Sequence, residues 1–161
     1  MKKVYTKKGD TGYTKDYAGR KVAKDHCLIV LGGKIDSLQS SIDLAMMYAK
    51  GETKKNLEHI QKKLWQMAAE IAHCDKSCLI DPVKKEDVAM LEKEINKLGK
   101  PPEHFIRFKG WKAISYNECR IRCRDLERHL VQLLRKGKLR PVVYQYANRL
   151  SSYFFMLAYK R

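Results

Sequence analysis

Apolar residues recur along the chain at steps of three and four, the spacing that places side chains on one face of a helix. Residues 25–50 carry one continuous stripe of this kind, and Gly51 follows as a candidate C′ stop. A second stripe predicts a helix from Thr53, a candidate N-cap, to Cys74. The first stripe consists of Leu28, Leu31, Ile35, Leu38, Ile42, Ala45 and Ala49.

Two glycines, Gly32 and Gly33, lie inside the first predicted helix. In a helix interior each costs about 1 kcal/mol of stability relative to alanine. Two explanations stay open. The glycines allow a close contact with another helix, or the helix begins after them.

Three further helices are predicted by the same periodicity. The third follows "IDPVKKED" and ends at Gly99, the fourth covers roughly 112–136 and stops at Gly137, and the fifth begins at Pro141. The segment "GKPPEHFIRFKGW" cannot be helical at its prolines and is predicted to be a loop with a short extended piece. Five amphipathic helices with short connections predict an all-α, antiparallel five-helix bundle.

The N-terminal segment "YTKKGDTGYTK", residues 5–15, has no apolar face. It contains two glycines, one aspartate, three threonines and three lysines, so neither a helix nor a buried strand is expected there. We find no linker or internal repeat that would divide the chain. One domain is therefore expected over residues 1–161, with a loop over 1–24 and the bundle over 25–161.

The charge narrows the choice of partner. The chain has 34 Lys and Arg against 18 Asp and Glu, a formal net charge of +16, which favours an anionic partner such as nucleic acid, a membrane surface or a nucleotide phosphate. No apolar run approaches the roughly 20 residues of a membrane helix, and no apolar stretch follows the basic N-terminus as in a signal peptide. Five cysteines, an odd number, favour reduced thiols in a cytoplasmic protein.

The fourth helix carries a row of arginines. Arg120, Arg124 and then Glu127 or Arg128 follow at steps of three or four, so they share one face. Such a row is either a solvated, salt-bridged surface or a set of guanidinium groups suited to bidentate phosphate binding.

Four segments together resemble one family, the PduO-type ATP:cob(I)alamin adenosyltransferases. They are "YTKKGDTGYT" at 5–14, "GGKIDSLQSS" at 32–41, "CRDLER" at 123–128 and "YANRLSS" at 146–152. They match the family patterns "YTKxGDxGxT", "GxxDELxS", "CRxxER" and "YxNRLSD" in the family's order. The first pattern is quite specific, and the other three are weak when taken alone.

The resemblance implies transfer of the 5′-deoxyadenosyl group of ATP to the Co(I) of a reduced corrinoid, with release of triphosphate and with Mg²⁺ bound through ATP. It implies a homotrimer with active sites between subunits and a corrinoid reductase as a further partner, and neither nucleic acid nor a membrane. The implied catalytic residues are Asp36, Phe105, Arg120 and Arg124, with a salt bridge between Asp36 and Arg120 of neighbouring subunits. The implied ATP-binding residues are Thr6, Lys7, Lys8, Gly9, Thr14, Lys15, Lys24, Arg124, Glu127, Arg128 and Asn148.

The chain departs from the family in three places. The family loop "FxLPGG" is replaced by "FIRFKGW", residues 105–111, and the final aspartate of "NRLSD" is Ser152. The second arginine of a common "CRRAER" is Asp125. These departures concern the corrinoid half of the site more than the ATP half.

Two other functions are consistent with parts of the sequence. In a basic helical nucleic-acid-binding domain, the arginines of the fourth helix would follow a phosphate backbone, but the basic residues are spread over all the helices. In a metal protein, the pairs Cys74/Cys78 and Cys119/Cys123 would form a Cys₄ site, although their spacing of four is a weak zinc signal and free thiols are favoured.

Overall fold

The computed structural model of the chain describes residues 4–74 and 77–160. Its helices confirm the predicted all-α, five-helix bundle. They are α1 (Cys27–Met46), α2 (Gly51–Ile71), α3 (Lys85–Lys97), α4 (Trp111–Arg135) and α5 (Pro141–Tyr159). Within the described ranges, no helix is both long and apolar enough to cross a membrane.

The core forms where the apolar stripes of the helices meet. Helix α4 packs along α5 and also against α1, while α2 covers α1 and α3 covers α5. Of the seven residues in the predicted first stripe, six are buried and Leu28 packs at the edge of the core. Large aromatic side chains fill the space between α4 and α5, and four are buried to 2% exposure or less: Tyr116, Tyr146, Tyr153 and Phe154.

The turn between α1 and α2 differs from the prediction. Gly51 is the first residue of α2 rather than the stop of α1, and Lys50 rather than Thr53 is the N-cap. Beyond Met46 the chain continues in tighter turns, in which the amide of Ala49 donates to the carbonyl of Met46 at 3.2 Å. Gly51 has a φ of 54°, a left-handed conformation that glycine adopts without steric cost, and this allows the chain to reverse.

Neither proposed explanation for the glycines of α1 holds within a single chain. Gly32 and Gly33 lie within the helix, which begins at Cys27, and a Cβ atom built on either would have no neighbour within 4 Å. The glycines border a cavity of about 530 Å³ between α1, α2 and the N-terminal segment. Their effect is therefore to leave space open.

The N-terminal segment contains a short hairpin that periodicity did not predict. Strand β1 (Tyr13–Lys15) pairs antiparallel with β2 (Lys21–Ala23), with Thr14 opposite Val22. The turn is closed by Asp16, whose carboxylate accepts hydrogen bonds from the amide of Arg20 at 2.8 Å and from its guanidinium at 2.7 Å. None of the six strand residues is buried, so the hairpin lies on the surface of the bundle.

A buried ion pair joins α2 to the start of α3. The Lys63 side chain is 4% exposed, and its Nζ lies 2.6 Å from a carboxylate oxygen of Asp81 and 3.1 Å from one of Asp87. Asp87 also accepts a hydrogen bond from the backbone amide of Lys84 at 2.8 Å and lies 3.0 Å from Nε2 of His59. Because Lys63 occupies an inward position of an apolar helix face, it must remain paired to be tolerated there.

We predict that Asp87→Asn lowers the free energy of unfolding by about 3 kcal/mol, because the buried ammonium of Lys63 loses one of its two carboxylates. Lys84→Gln is the matched control, since its side chain is 57% exposed and pairs with Asp81 in solvent. That change should cost about 0–1 kcal/mol. Urea unfolding followed by circular dichroism measures both, and equal small losses in the two variants would contradict the buried-pair account.

Candidate functional site

The N-terminal loop is folded back onto the hairpin. The amide of Lys24 donates to the carbonyl of Gly12 at 2.9 Å, and two longer bonds within the loop join Asp10 to Lys7 and Gly12 to Gly9. Lys7 adopts a φ of 57°, an unusual conformation for a residue with a side chain. These contacts bring the two ends of the predicted ATP-binding segment together.

Gly9 and Lys24, both predicted ATP-binding residues, are in contact. A Cβ atom built on Gly9 would lie 3.0 Å from Nζ of Lys24, so the lysine occupies the space that a side chain at position 9 would need. Within the described part of the chain, the ammonium groups of Lys7, Lys8, Lys15 and Lys24 have no hydrogen bond or ion pair. The loop therefore presents several cations that an anion would neutralise. Of the two predicted threonines, Thr6 is exposed and Thr14 is half-buried.

A second group of predicted residues meets where α4 packs against α5. The Glu127 carboxylate accepts hydrogen bonds from the amide nitrogen of Asn148 at 2.9 Å and from the hydroxyl of Tyr144 at 3.2 Å. Burial, and next the charge of Glu127, raise the pKa of Tyr144, so the hydroxyl stays a donor. Sequence reasoning missed Tyr144, although its position four residues before Asn148 puts both on one face of the helix.

Arg120 and Arg124 lie together at a cavity of about 430 Å³ between α4, α5 and the end of α3. The serines Ser151 and Ser152 line the same cavity, and its described lining contains no carboxylate. Arg120 donates to the side-chain oxygen of Asn117 at 2.8 Å, and burial followed by the charge of Arg124 lowers the pKa of Arg120. Two neighbouring guanidinium groups without a counter-ion form a setting for an anionic ligand.

Arg128, the next residue of the predicted row, faces solvent. Its side chain is 74% exposed, and its guanidinium lies 3.3 Å from the carboxylate of Asp125. Asp125 also pairs at 2.5 Å with Lys34 of α1, which lowers the pKa of Asp125. The sequence marked Asp125 as a departure from the family pattern, but its partner on α1 could not be found without the packing of α1 on α4.

Asp36 is exposed on α1 and has no hydrogen bond or ion pair within the described ranges. It borders the cavity of about 530 Å³ together with Lys15 of the hairpin and Trp65 of α2. Arg120 borders different cavities. The predicted ion pair between Asp36 and Arg120 is therefore not made within one chain, and pairing between subunits stays a prediction.

The loop before α4 holds Phe105, whose side chain is fully exposed at the mouth of a further cavity of about 450 Å³. Phe108 is half-buried and packs edge-to-face on Phe155 of α5, with ring centroids 5.9 Å apart. Arg120 and Phe155 line both this cavity and the one that contains Arg124, so the two cavities adjoin.

In a single chain, five of the predicted residues thus border cavities at two separate places. Lys15 and Asp36 border the cavity between the hairpin, α1 and α2. Phe105, Arg120 and Arg124 border the adjoining cavities at α4 and α5.

The cysteines form no metal site. Cys119 and Cys123 are buried in the core on α4, and Cys74 and Cys78 follow α2 with their Cα atoms 6.2 Å apart. The Cys₄ alternative is therefore not supported. Within the ranges 4–74 and 77–160, no three His, Cys, Asp or Glu side chains are grouped so as to hold a metal ion.

A family model described as cobalamin adenosyltransferase matches residues 4–161. A corrinoid adenosyltransferase of Citrobacter freundii is 31% identical over 98% of this chain and 94% of its own length. Corrinoid adenosyltransferase PduO of the same organism is 30% identical over 96% of this chain but only 48% of its own length, so the chain spans about half of that relative. The human corrinoid adenosyltransferase MMAB is 32% identical over 97% of this chain and 67% of its own length.

Solved structures agree with these relatives. A variant of the PduO-type ATP:corrinoid adenosyltransferase from Lactobacillus reuteri, complexed with cobalamin and ATP, superposes with a TM-score of 0.81. It is 27% identical, and the match covers 97% of this chain and 89% of that one. A second variant of that enzyme, complexed with ATP, gives a TM-score of 0.80. The nucleic-acid-binding alternative finds no support among these relatives.

We predict that the thiol of Cys27 reacts with a thiol reagent in the native protein much faster than the thiols of Cys119 and Cys123. Cys27 is exposed, whereas burial raises the pKa of Cys119 to about 12 and raises that of Cys123 as well. Since the thiolate is the reactive form, the two buried thiols should react only after unfolding. Mass spectrometry after brief labelling should find the reagent on Cys27, and equal labelling of Cys119 or Cys123 in the folded protein would contradict the assignment.

Proposed function

The chain belongs to the cobalamin adenosyltransferase family, and on that premise we propose that it transfers the 5′-deoxyadenosyl group of ATP to the Co(I) of a reduced corrinoid. The electron pair of Co(I) forms the bond to C5′ of the nucleotide. The bond from C5′ to the triphosphate oxygen breaks, and triphosphate leaves with the electron pair of that broken bond. The observation that carries the proposal is the family match over residues 4–161, which includes all four motifs.

Because Co(I) is itself a strong nucleophile, the protein needs no general base for this step. Its task is to position C5′ over the cobalt, to neutralise the leaving triphosphate and to exclude water.

The N-terminal loop is proposed to hold the triphosphate. The unpaired ammonium groups of Lys7, Lys8, Lys15 and Lys24 support this role, because they supply positive charge that no carboxylate of the described chain neutralises. Gly9 lets the backbone and Lys24 approach the phosphates closely, and the hydroxyls of Thr6 and Thr14 add donors.

The α4–α5 group is proposed to complete the ATP site. Arg124 would bind phosphate, and Glu127 would orient the amide of Asn148 through the 2.9 Å hydrogen bond between them. Arg128 would add a second guanidinium if it exchanges its solvent-exposed contact with Asp125 for a phosphate oxygen.

Mg²⁺ is proposed to arrive with ATP. The described residues provide no cluster of three ligands for a metal ion, whereas Mg²⁺ commonly binds substrate phosphates with few protein ligands. In that position the ion would share in neutralising the triphosphate charge.

We further propose a homotrimer in which each site is shared between neighbouring subunits. The separation of Lys15 and Asp36 from Arg120 and Arg124 at different cavities of one chain supports this arrangement. Lys15 and Asp36 of one subunit would meet Arg120 and Arg124 of the next. Phe105 would then lie on the corrin side, where an exposed aromatic ring keeps water and a lower axial ligand away from cobalt.

The proposed domain covers residues 1–161, of which residues 1–3, 75, 76 and 161 lie outside the described residues. The free thiols of Cys27, Cys119 and Cys123 support a cytoplasmic location. A reductase that supplies Co(I) is the proposed protein partner.

The direct test is an anaerobic assay with ATP and chemically reduced cobalamin, in which formation of the Co–C bond is followed spectroscopically. We expect the adenosyl product and one triphosphate per Co–C bond formed. Omission of ATP is the control. Failure to form the Co–C bond with Co(I) supplied directly would refute the proposed activity.

We predict that Arg124→Ala weakens ATP binding by about 10- to 100-fold, the loss of roughly 1.5–3 kcal/mol expected when one charge-assisted phosphate contact is removed. Arg122→Ala is the matched control on the same helix, because Arg122 is exposed and pairs with Glu118 at 2.7 Å. Isothermal titration calorimetry with ATP measures both variants. Unchanged affinity in Arg124→Ala would remove this residue from the site.

We predict that Asp36→Asn and Arg120→Gln each lower corrinoid-dependent turnover strongly, while the double variant loses much less than the sum. The reason is that breaking an interfacial ion pair leaves one charge without its partner. Asp43→Asn, on the same helix and hydrogen-bonded to Gln61 at 2.7 Å, is the control. Light scattering should give a trimer for the wild type. Strict additivity of the two losses, or an active monomer, would contradict the shared site.

A further inference from the structure

The cavity of about 450 Å³ before α4 combines aromatic walls with positive charge. Its walls include Phe105, Phe108 and Phe155, and its cationic side chains include Arg107 and Arg120. Among the described residues that line it there is no aspartate or glutamate. A ligand that fits this cavity is therefore largely apolar and carries a negative charge.

Arg107 is the residue of this cavity with a free charged group. Its side chain is exposed and makes no hydrogen bond or ion pair in the described part of the chain. By contrast, Arg120 is half-buried and donates to Asn117 at 2.8 Å. The planar guanidinium of Arg107 is thus available for bidentate contact with two oxygens of an anion.

The loop gives Arg107 a defined position despite its exposure. The next residue, Phe108, packs against the core and meets Phe155 edge-to-face at 5.9 Å. Three residues after Arg107, Gly110 turns the chain into α4 with a φ of 82°. The backbone that carries Arg107 is therefore anchored to α5 on its C-terminal side and lies close to the start of α4.

We propose that Arg107 is a specificity-determining residue that binds the phosphodiester of the nucleotide tail of a corrinoid. The proposal rests on the function proposed above. The ring periphery of a fully amidated corrinoid is neutral, so the tail phosphodiester is its anionic group outside the metal centre. A free carboxylate on an incompletely amidated ring has the same charge and is the second source of such an anion.

This contact makes the chain select corrinoids that carry a nucleotide tail over those that lack one. The selection is a property of this chain's own loop, since the family pattern "FxLPGG" has no cation where Arg107 stands. The exposed ring of Phe105 adds an apolar surface beside the charge, so the loop recognises both the planar and the anionic part of the ligand.

The experiment compares wild type, Arg107→Gln and Lys109→Gln. Lys109 is the matched control, because it is an exposed cation of the same loop but borders a different cavity. Each protein is titrated, in the presence of ATP, with cobalamin in its Co(II) state, with cobinamide, which lacks the tail, and with cobyric acid, which has a free ring carboxylate and no tail. Equilibrium binding is read from the corrinoid spectrum, and KM for corrinoid and for ATP is measured with Co(I) supplied chemically.

We expect Arg107→Gln to weaken cobalamin binding roughly tenfold, the effect of losing one charge-assisted contact in a partly solvated site. Cobinamide binding and the KM for ATP should stay within about twofold, and Lys109→Gln should change none of these values. Arg107→Lys should restore part of the affinity, because it keeps the charge but loses the bidentate fork.

Equal effects of Arg107→Gln on cobalamin and cobinamide, or no effect on either, would overturn the proposal. A loss confined to cobyric acid would assign Arg107 to a ring carboxylate and overturn the phosphodiester assignment. Failure of the proposed function is distinguishable, because it would appear as absent turnover in the wild type, while the binding titrations would still decide the role of Arg107.

Discussion

The packing of α4 against α5 fixes the position of the arginine row and of the Glu127–Asn148 hydrogen bond, one of the two regions that could act on a ligand. The rotation of α4 about its own axis is fixed by the burial of four of its side chains against the aromatic face of α5, namely Tyr116, Cys119, Cys123 and Leu126. Since Arg120 and Arg124 each follow a buried cysteine, that rotation places both guanidinium groups at the edge of the helix pair. The same rotation brings Glu127 within hydrogen-bond distance of Asn148. A change that turned α4 in the core would therefore move the whole arginine row.

Positive charge without counter-ions is the second constraint. Arg120 and Arg124 stand together at a cavity whose described lining has no carboxylate, and Lys7, Lys8, Lys15 and Lys24 have no hydrogen bond or ion pair with the described residues. Such groups repel one another when no ligand is present, so part of the binding energy of an anion comes from relief of that repulsion. Where charge is buried for stability, as at Lys63, the chain supplies carboxylates instead. A cation buried in the fold therefore has carboxylate partners, whereas these four lysines and two arginines have none among the described residues.

Helix periodicity predicted the bundle well because burial follows the apolar stripe directly, as it does from Leu31 to Ala45 in α1. Periodicity failed where one residue can either end a helix or begin the next one. Gly51 was assigned to the end of α1, yet its left-handed conformation opens α2. The buried Lys63 and the Lys34–Asp125 ion pair were not predicted, because each depends on which helices become neighbours. The motif residues were found as a set, but their division between separate cavities follows from the fold and not from spacing along the chain.

The two tryptophans of the chain stand at different cavities, and both are exposed. Trp65 of α2 borders the cavity beside the hairpin and Asp36, while Trp111 begins α4 next to Lys109 and Lys112. An indole ring emits light at a wavelength and intensity that depend on its surroundings. The protein thus carries two built-in fluorophores at separate regions of its surface, and replacing either one leaves the other as a local optical probe of what approaches its cavity.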